Sequence, residues 1–256
     1  MTAPRAASRR GSILGVVALI VVVLGGAGLW YVFFRPSGPA PVSLGSLRPV
    51  TAAPGGTSGS SPGTTGSSAP AAGIAGTWTV DSSSASTSGE ATFVGYRVRE
   101  ELANIGATEA VGRTPDVSGS MTIQGTTITR VEITANLTTL KSDNGNRDRQ
   151  LGRQALQTAQ FPTGIFRLST PIELGRVPAE GEVVEVTATG DLTLHGVSKS
   201  VQLPLQARLE GGRIAVAGSL TIAFADFGIE QPQAVVVLSV QDTAVMEMLI
   251  HFARAG

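Results

Sequence analysis

The chain has 256 residues, 19 basic and 19 acidic side chains, two histidines and no cysteine. The lack of cysteine excludes disulfides, thiolate catalysis and cysteine-ligated zinc. Five arginines and no acid precede residue 81, so the remainder carries 19 acids and 14 bases. Because this acidic part lacks the clustered positive charge that phosphate backbones require, we expect no nucleic-acid partner.

The first predicted element is a membrane span over residues 13–34, ILGVVALIVVVLGGAGLWYVFF, which carries no charge. A helix of this length reaches ~33 Å, enough to cross the hydrocarbon core of a bilayer. Arg5, Arg9 and Arg10 precede it, so residues 1–12 are predicted to be cytoplasmic and the rest extracytoplasmic, in a single-pass cell-membrane protein. A cleaved signal peptide is the alternative, but its apolar core would be shorter and followed by small residues.

Residues 35–73 consist mainly of Pro, Gly, Ser, Thr and Ala. Such a segment buries too little apolar surface to offset its chain entropy. We therefore predict a disordered linker between the span and the remaining chain.

Residues 74–256 show apolar residues at every second position, the period of half-buried strands. The clearest case is the sequence VVEVTATGDLTL before His195, where one face carries Val184, Val186, Ala188, Gly190, Leu192 and Leu194. About eight or nine strands are predicted, with one interruption, SDNGNRDRQLGRQALQ, that has helical spacing and Asn146 as a candidate N-cap. This pattern predicts a mainly β, single antiparallel sandwich or closed barrel with one short helix.

Two motifs resemble the YceI-like family of lipid and polyisoprenoid binding domains. The first is an Arg-Asp pair followed by Leu, Pro and Phe, and the second is a G-x-L-T-x-x-G-V-S hairpin. They fall on Arg147, Asp148, Leu151, Pro162 and Phe166, and on Gly190, Leu192, Thr193, Gly196, Val197 and Ser198. The chain departs from the family at Ala223-Phe224-Ala225, where members often have an Arg shortly before D-F-G. The resemblance implies a lipocalin-like barrel that holds one long apolar lipid, such as an isoprenoid, without catalysis or cofactor.

The inward phase of the strands, together with the resemblance, gives a set of candidate ligand-binding residues in the lumen. Small inward residues such as Ala188, Gly190 and Gly218 would leave space for a ligand. A fully packed barrel, with glycines marking bends, is the alternative. The candidate lumen residues are Val94, Tyr96, Leu151, Phe166, Leu192, Leu194, Leu203 and Phe224.

The candidate polar rim of the ligand site consists of Arg147, Arg149, Arg153 and His195. The arginines lie on the predicted helix, where they are either a solvated face or a cationic rim for a ligand head group. His195 precedes Gly196 in a predicted hairpin, which favours a turn residue over a rim contact or a catalytic base. With only two histidines and no cysteine, no metal site is expected.

Three functions remain open on these residues. The first is a membrane-anchored carrier of a long apolar lipid, with the membrane itself as a partner through the N-terminal helix. The second is a cell-envelope adaptor whose packed barrel binds an unidentified protein. The third is a hydrolase or isomerase, which would need His195 or Asp226 as a base at the lumen. We expect the first, and no enzyme.

Overall fold

The computed structural model describes residues 39–44, 73–82, 91–102, 106–231 and 237–256. The predicted cytoplasmic N-terminus, the predicted span at 13–34 and most of the predicted linker lie outside these residues. Within the described ranges, no helix combines the length and apolarity needed to cross a bilayer.

In the described part of the chain, twelve strands form one antiparallel sheet, and short helical turns lie in two of the connections between them. The helix α1 (Gly145–Gln150) continues into a π-helical turn at Leu151–Ala155, and 3₁₀ turns occur at Leu137–Thr139 and Phe224–Phe227. The strands are β1 (Gly76–Val80), β2 (Phe93–Leu102), β3 (Gly106–Thr114), β4 (Val117–Gln124), β5 (Thr127–Asn136), β6 (Thr163–Leu168), β7 (Ile172–Glu173), β8 (Val183–Leu194), β9 (Val197–Glu210), β10 (Arg213–Ala223), β11 (Val237–Val240) and β12 (Thr243–Arg254).

Eight of these strands close into a barrel in the order β1-β4-β5-β6-β8-β9-β10-β12. The ring closes where Trp78 of β1 pairs with Arg254 of β12. Along the same edge β2 pairs with the first half of β12, and β3 pairs with β2. The prediction of a closed antiparallel barrel with one short helix is confirmed, and the sandwich alternative is wrong.

The predicted inward phase of β8 and β9 is confirmed by their register. Val186 pairs with Leu205 and Ala188 with Leu203, so the apolar residues of both strands share one face. Because side chains alternate with a period of two, this register places every apolar partner inside the barrel.

The helix begins two residues earlier than predicted. The side chain of Asn144, not Asn146, accepts hydrogen bonds from the backbone N–H groups of Asn146 (2.9 Å) and Arg147 (3.3 Å). The Asp148 carboxylate accepts from the hydroxyl (2.6 Å) and the backbone N–H (2.9 Å) of Ser142. These contacts fix the helix across one end of the barrel.

Residues 39–44, hereafter the docked segment, lie on the outer surface of β9, β10, β12 and β2. Leu44 is fully buried there in a cluster with Phe93, Ala215, Ala217 and Leu249. The linker prediction treated these residues as disordered, and for this segment it is wrong. Its apolar residues find partners that are distant in sequence but adjacent on the barrel wall.

Charged side chains hold the backbone of the docked segment. Arg97 donates to the carbonyl of Pro39 (2.7 Å), and the N–H of Leu44 donates to Gln206 (3.0 Å). Beneath the segment, Arg97 and Arg113 both pair with Glu247, at 3.1 and 2.9 Å, and the Glu247 side chain is only 2% exposed. The outer wall therefore carries a buried ion network that the segment covers.

Candidate functional site

The interior of the barrel contains an apolar cavity of about 160 Å³, hereafter the lumen cavity. Its lining comes from strands around the whole ring and is almost entirely aliphatic. The predicted lumen residues that line it are Val94, Phe166, Leu192, Leu194 and Leu203.

Two glycines predicted to leave space in the lumen are crowded by their neighbours. A Cβ on Gly190 would lie 2.4 Å from the carbonyl oxygen of Arg167 and 2.6 Å from the Phe166 ring. A Cβ on Gly218 would lie 2.5 Å from Leu205. Each glycine makes room for a large neighbour, because side chains on adjacent strands compete for the same volume. Gly218 and Ala188 nevertheless border the lumen cavity, whereas Gly190 does not.

A second and larger cavity, about 620 Å³, adjoins the lumen beneath α1 and the π-helical turn. We call it the mouth cavity. Val94, Leu137, Leu194 and Met246 line both cavities, so the two spaces are neighbours across these side chains. The predicted site residues that line the mouth cavity are Tyr96, Leu151, Phe224, Arg147, Arg149 and Arg153.

The three arginines that line the mouth cavity differ in the partners of their guanidinium groups. Arg147 pairs with Glu100 and with Asp143, both at 2.5 Å. The Arg149 guanidinium donates to the neutral side-chain oxygen of Asn146. Arg153 has no hydrogen-bond or ion-pair partner among the residues that the structure describes, and its side chain is exposed. Two cations at the mouth are thus not paired with an acid.

Tyr96 contributes a phenol to the same cavity. Its ring lies over Gly112, where a Cβ would come within 2.4 Å of Cε1. The buried hydroxyl has no hydrogen-bond partner of ordinary geometry in the described part of the chain, the nearby Ser142 included. Burial raises the pKa of Tyr96 to about 12, so the hydroxyl stays protonated and remains a hydrogen-bond donor.

His195 lies in the hairpin between β8 and β9 and lines neither cavity. Its backbone has a φ of 50°, and its Nδ1 lies 3.2 Å from the carbonyl oxygen of Phe227. The ring packs edge-on against Phe161, with centroids 4.5 Å apart. The interpretation as a turn residue is confirmed, and the structure does not bring His195 to the predicted rim.

The two residues that the sequence analysis named as a possible catalytic base, His195 and Asp226, do not lie at the site. Asp226 is exposed and, like His195, lines neither cavity. Within the described ranges, no three His, Asp or Glu side chains are grouped so that they could hold a metal ion. The arrangement of the two cavities suits binding of an apolar molecule with a polar end.

Sequence reasoning missed the polar residues of the mouth lining other than the arginines and Tyr96. The available signal for most of them was the amide-rich sequence NGNRDRQLGRQ. The missed polar residues are Glu100, Asn144, Asn146, Gln150 and Gln154.

The barrel is similar to a crystal structure described as a polyisoprenoid binding domain from Saccharophagus degradans. The TM-score is 0.52 at 19% identity, and the match covers 64% of this chain and 94% of that one. A structure of BcnA from Burkholderia cenocepacia matches with a TM-score of 0.46 at 16% identity, over 62% of this chain and 95% of that one. The first likeness supports the barrel fold.

Curated relatives with the same domain come from several bacteria. A UPF0312 protein of Pseudomonas paraeruginosa is 28% identical over 151 residues, which are 56% of this chain and 73% of the relative. A UPF0312 protein of Shewanella baltica is 29% identical over 139 residues, 51% of this chain and 69% of the relative. The family model for the YceI-like domain matches residues 78–252. The chain belongs to the YceI-like domain family.

Proposed function

We propose that the protein is a membrane-anchored, extracytoplasmic carrier of a long apolar lipid, with an isoprenoid as the ligand class. The observation that supports this most is the pairing of an aliphatic lumen cavity with a mouth cavity whose wall is apolar on one side and polar at the helix. The mouth cavity alone falls within the range of roughly 300–1,000 Å³ typical of ligand sites.

The chemistry of the lining favours a hydrocarbon chain. An aliphatic wall offers no hydrogen bonds, so a polar group in the lumen would lose its hydration without compensation. Each methylene group transferred from water gains about 0.8 kcal/mol. A ligand with a long chain and one polar end satisfies both cavities at once, and the relative from Saccharophagus degradans is described as polyisoprenoid binding.

The outer surface gives less support to the adaptor hypothesis. Among the described residues, the large apolar side chains that are exposed are Val177 and Val183, at 47% and 39%. The apolar surface on the outer wall is already covered by the docked segment. Protein interfaces of the stable kind usually bury a larger apolar core.

The test of lipid carriage is organic extraction of the purified full chain, followed by mass spectrometry of the extract. We expect a stoichiometric long-chain lipid, and we expect the emptied protein to take up an added isoprenoid. A protein that contains no lipid and takes up none would contradict the carrier proposal and favour the adaptor.

The proposed anchor and location depend on the sequence alone. The uncharged run at 13–34 and the arginines before it support a single span with the barrel outside the cytoplasm. Protease added to intact cells should remove the barrel from the membrane fraction, whereas a cytoplasmic marker stays intact. A barrel that is protected until the cells are lysed would contradict this topology.

A further inference from the structure

The barrel wall beneath the docked segment forms a groove on the outer surface, hereafter the outer groove. Its floor consists of Phe93, Ala215, Ala217 and Leu249. Leu44 of the docked segment packs into this floor and is fully buried. Without the segment, the floor and the Glu247 ion network beside it would face water, where apolar surface is unfavourable. The outer groove therefore has an affinity for an apolar side chain in the position of Leu44.

Polar side chains along the outer groove bind the backbone of the docked segment. Three arginines donate hydrogen bonds to its carbonyl oxygens. They are Arg97 to Pro39 (2.7 Å), Arg113 to Ala40 (3.5 Å) and Arg208 to Leu44 (3.5 Å). The side-chain oxygen of Gln206 accepts from the backbone N–H of Leu44 at 3.0 Å and from the Ser43 hydroxyl at 3.2 Å. Contacts at both ends of the segment fix its direction and its register.

The sequence of the docked segment, PAPVSL, suits this mode of binding. Pro39 and Pro41 have no N–H group, so neither needs an acceptor from the wall. Their fixed φ also reduces the conformational entropy that the segment loses when it binds. Val42 packs against the same cluster as Leu44, two positions earlier. These contacts all lie within six residues, so recognition by the groove does not depend on which chain supplies them.

The connection from the docked segment to the barrel is long. About 28 residues separate Leu44 from Gly73. A chain of this length spans up to roughly 100 Å, whereas a small domain is about 30 Å across. Covalent geometry therefore allows the segment to lie on its own barrel or on the barrel of a second copy.

We infer that the outer groove is an interaction surface between two copies of this chain, in which each copy binds residues 39–44 of the other. Mutual exchange keeps every contact of the groove and leaves neither groove empty, and it gives a closed pair with two-fold symmetry. Within one chain the covalent connection raises the effective concentration of the segment, so exchange should increase with protein concentration. This inference goes beyond lipid carriage and does not depend on it.

The test is disulfide trapping between full-length chains, which contain no cysteine of their own. One chain carries Ser43→Cys, and a second chain with a different tag carries Gln206→Cys. The side-chain oxygens at these two positions are 3.2 Å apart. The two chains are mixed in one detergent solution and oxidised. We expect a disulfide that joins the two tags, with a yield that rises with protein concentration.

The matched control for accidental collision replaces Gln206→Cys with Gln202→Cys. Gln202 is the same residue type and is exposed on the same strand, β9. It lies four residues away on the same face, roughly 13 Å along the strand. We expect severalfold less disulfide between the tags from this pair.

A second variant tests whether Leu44 directs the exchange. Leu44→Asp, added to the chain with Ser43→Cys, should abolish the disulfide between tags because the recess cannot solvate a carboxylate. Val177→Asp introduces the same charge at a position that is 47% exposed and should leave the yield unchanged. A free peptide of residues 39–44 in excess should lower the yield, and the same peptide with Leu44→Asp should not.

The double variant with Ser43→Cys and Gln206→Cys in one chain completes the test, because it reports whether the segment lies on the wall at all. A disulfide within that chain, but none between the mixed tags at any concentration, would show that the segment binds only its own barrel and would overturn the inference. Equal yields from Gln206→Cys and Gln202→Cys would also overturn it. If the double variant forms no disulfide within or between chains, the groove does not bind the segment and the inference fails. Lipid content of the protein is unaffected by any of these outcomes.

Discussion

β10 and β12 carry apolar side chains on both their inner and their outer surfaces, but the two sets are covered in different ways. On the outside, Ala215, Ala217 and Leu249 are buried under Leu44 of the docked segment. On the inside, neighbouring residues such as Val216 and Ile250 border the lumen cavity. Among the residues that the structure describes, the chain covers its own outer apolar surface and leaves a cavity beside the inner one. An apolar surface therefore indicates a ligand only where the fold leaves space beside it.

The largest expected effect is a loss of stability when the buried ion network on the outer surface is broken. Glu247→Ala removes the carboxylate that two arginines share, and Arg97 is itself buried. Arg97 keeps Glu109 at 2.6 Å, but its buried charge is then only partly compensated, so we expect a loss of about 3 kcal/mol in the free energy of unfolding. Urea denaturation measures it.

The control for that variant is Glu132→Ala. Glu132 also pairs with two arginines, Arg130 and Arg167, but these are more than half exposed. Exposed ion pairs contribute little to stability, so this change should be nearly silent. Equal losses in the two variants would show that the segment does not bury the Glu247 network.

Leu44→Ala is the next most disruptive change. It removes the fully buried side chain of the docked segment, and Leu→Ala in a core costs at least about 2 kcal/mol. Thermal unfolding should detect this loss, while lipid occupancy of the lumen stays unchanged. Val177→Ala, at a position 47% exposed, serves as the control and should have little effect. If Leu44→Ala left the melting temperature unchanged, the docked segment would not be needed for the stability of the outer surface.

The matching change on the inside is Ala188→Phe. Ala188 borders the lumen cavity, so the ring should occupy ligand space and lower lipid content severalfold, at a stability cost of about 1–3 kcal/mol. Thr187→Phe places the same ring on the exposed outer face of β8 and should leave lipid content unchanged. The same lipid content in both variants would contradict a ligand in the lumen.

The smallest expected effect is a pH dependence from His251 on the outer face of β12. Burial lowers the pKa of His251, and the nearby charges of Asp81, Arg213, Glu210 and Arg208 contribute in opposing directions. The unfolded chain therefore binds a proton more readily, so stability should fall as pH drops below about 6.5. His251→Asn should remove this contribution to the loss of stability between pH 7 and 5. An unchanged pH profile would exclude His251 as the source.

The barrel and many of its lumen residues could be predicted from the sequence, because the alternation of apolar and polar residues is visible within each strand. The alternation along β8 and β9 fixes which side chains face inward, and the register of Val186 with Leu205 follows from it. Phe166, Leu192 and Leu203 were correctly placed in the lumen for this reason. A period of two is a strong constraint, since a slip of one residue would turn every apolar side chain outward.

The glycines and the helix start show where local patterns stop being sufficient. Gly190 has the right phase, but the space beside it is filled by Phe166 from the neighbouring strand. Asn144 and Asn146 are equally good N-caps by residue type, and only the extended backbone of Asn144 decides between them. The first fact depends on a side chain of the neighbouring strand and the second on the local backbone conformation. Residue types alone reveal neither.

The docked segment could not be predicted because its partners are distant. Val42 and Leu44 are isolated among prolines, serines and glycines, a composition typical of disorder. Their partners Phe93, Ala215 and Leu249 come together only after the barrel has closed. Small residues such as Ala215 and Ala217 make the recess that Leu44 fills, and small size alone carries no signal in a strand.

The docked segment also closes the chain between itself and Gly73 into a loop, because both ends are held on the barrel. Leu44 is held on the wall, and Gly73 is held at the other end by hydrogen bonds from Arg254 to Gly73 and Ala75. Closing a loop of roughly 28 residues costs about 3 kcal/mol in chain entropy, similar to the gain from burying one leucine. A single cut between residues 45 and 72 would turn the contact into one between two molecules. The cut segment would then stay on the wall in a concentrated sample and dissociate on dilution.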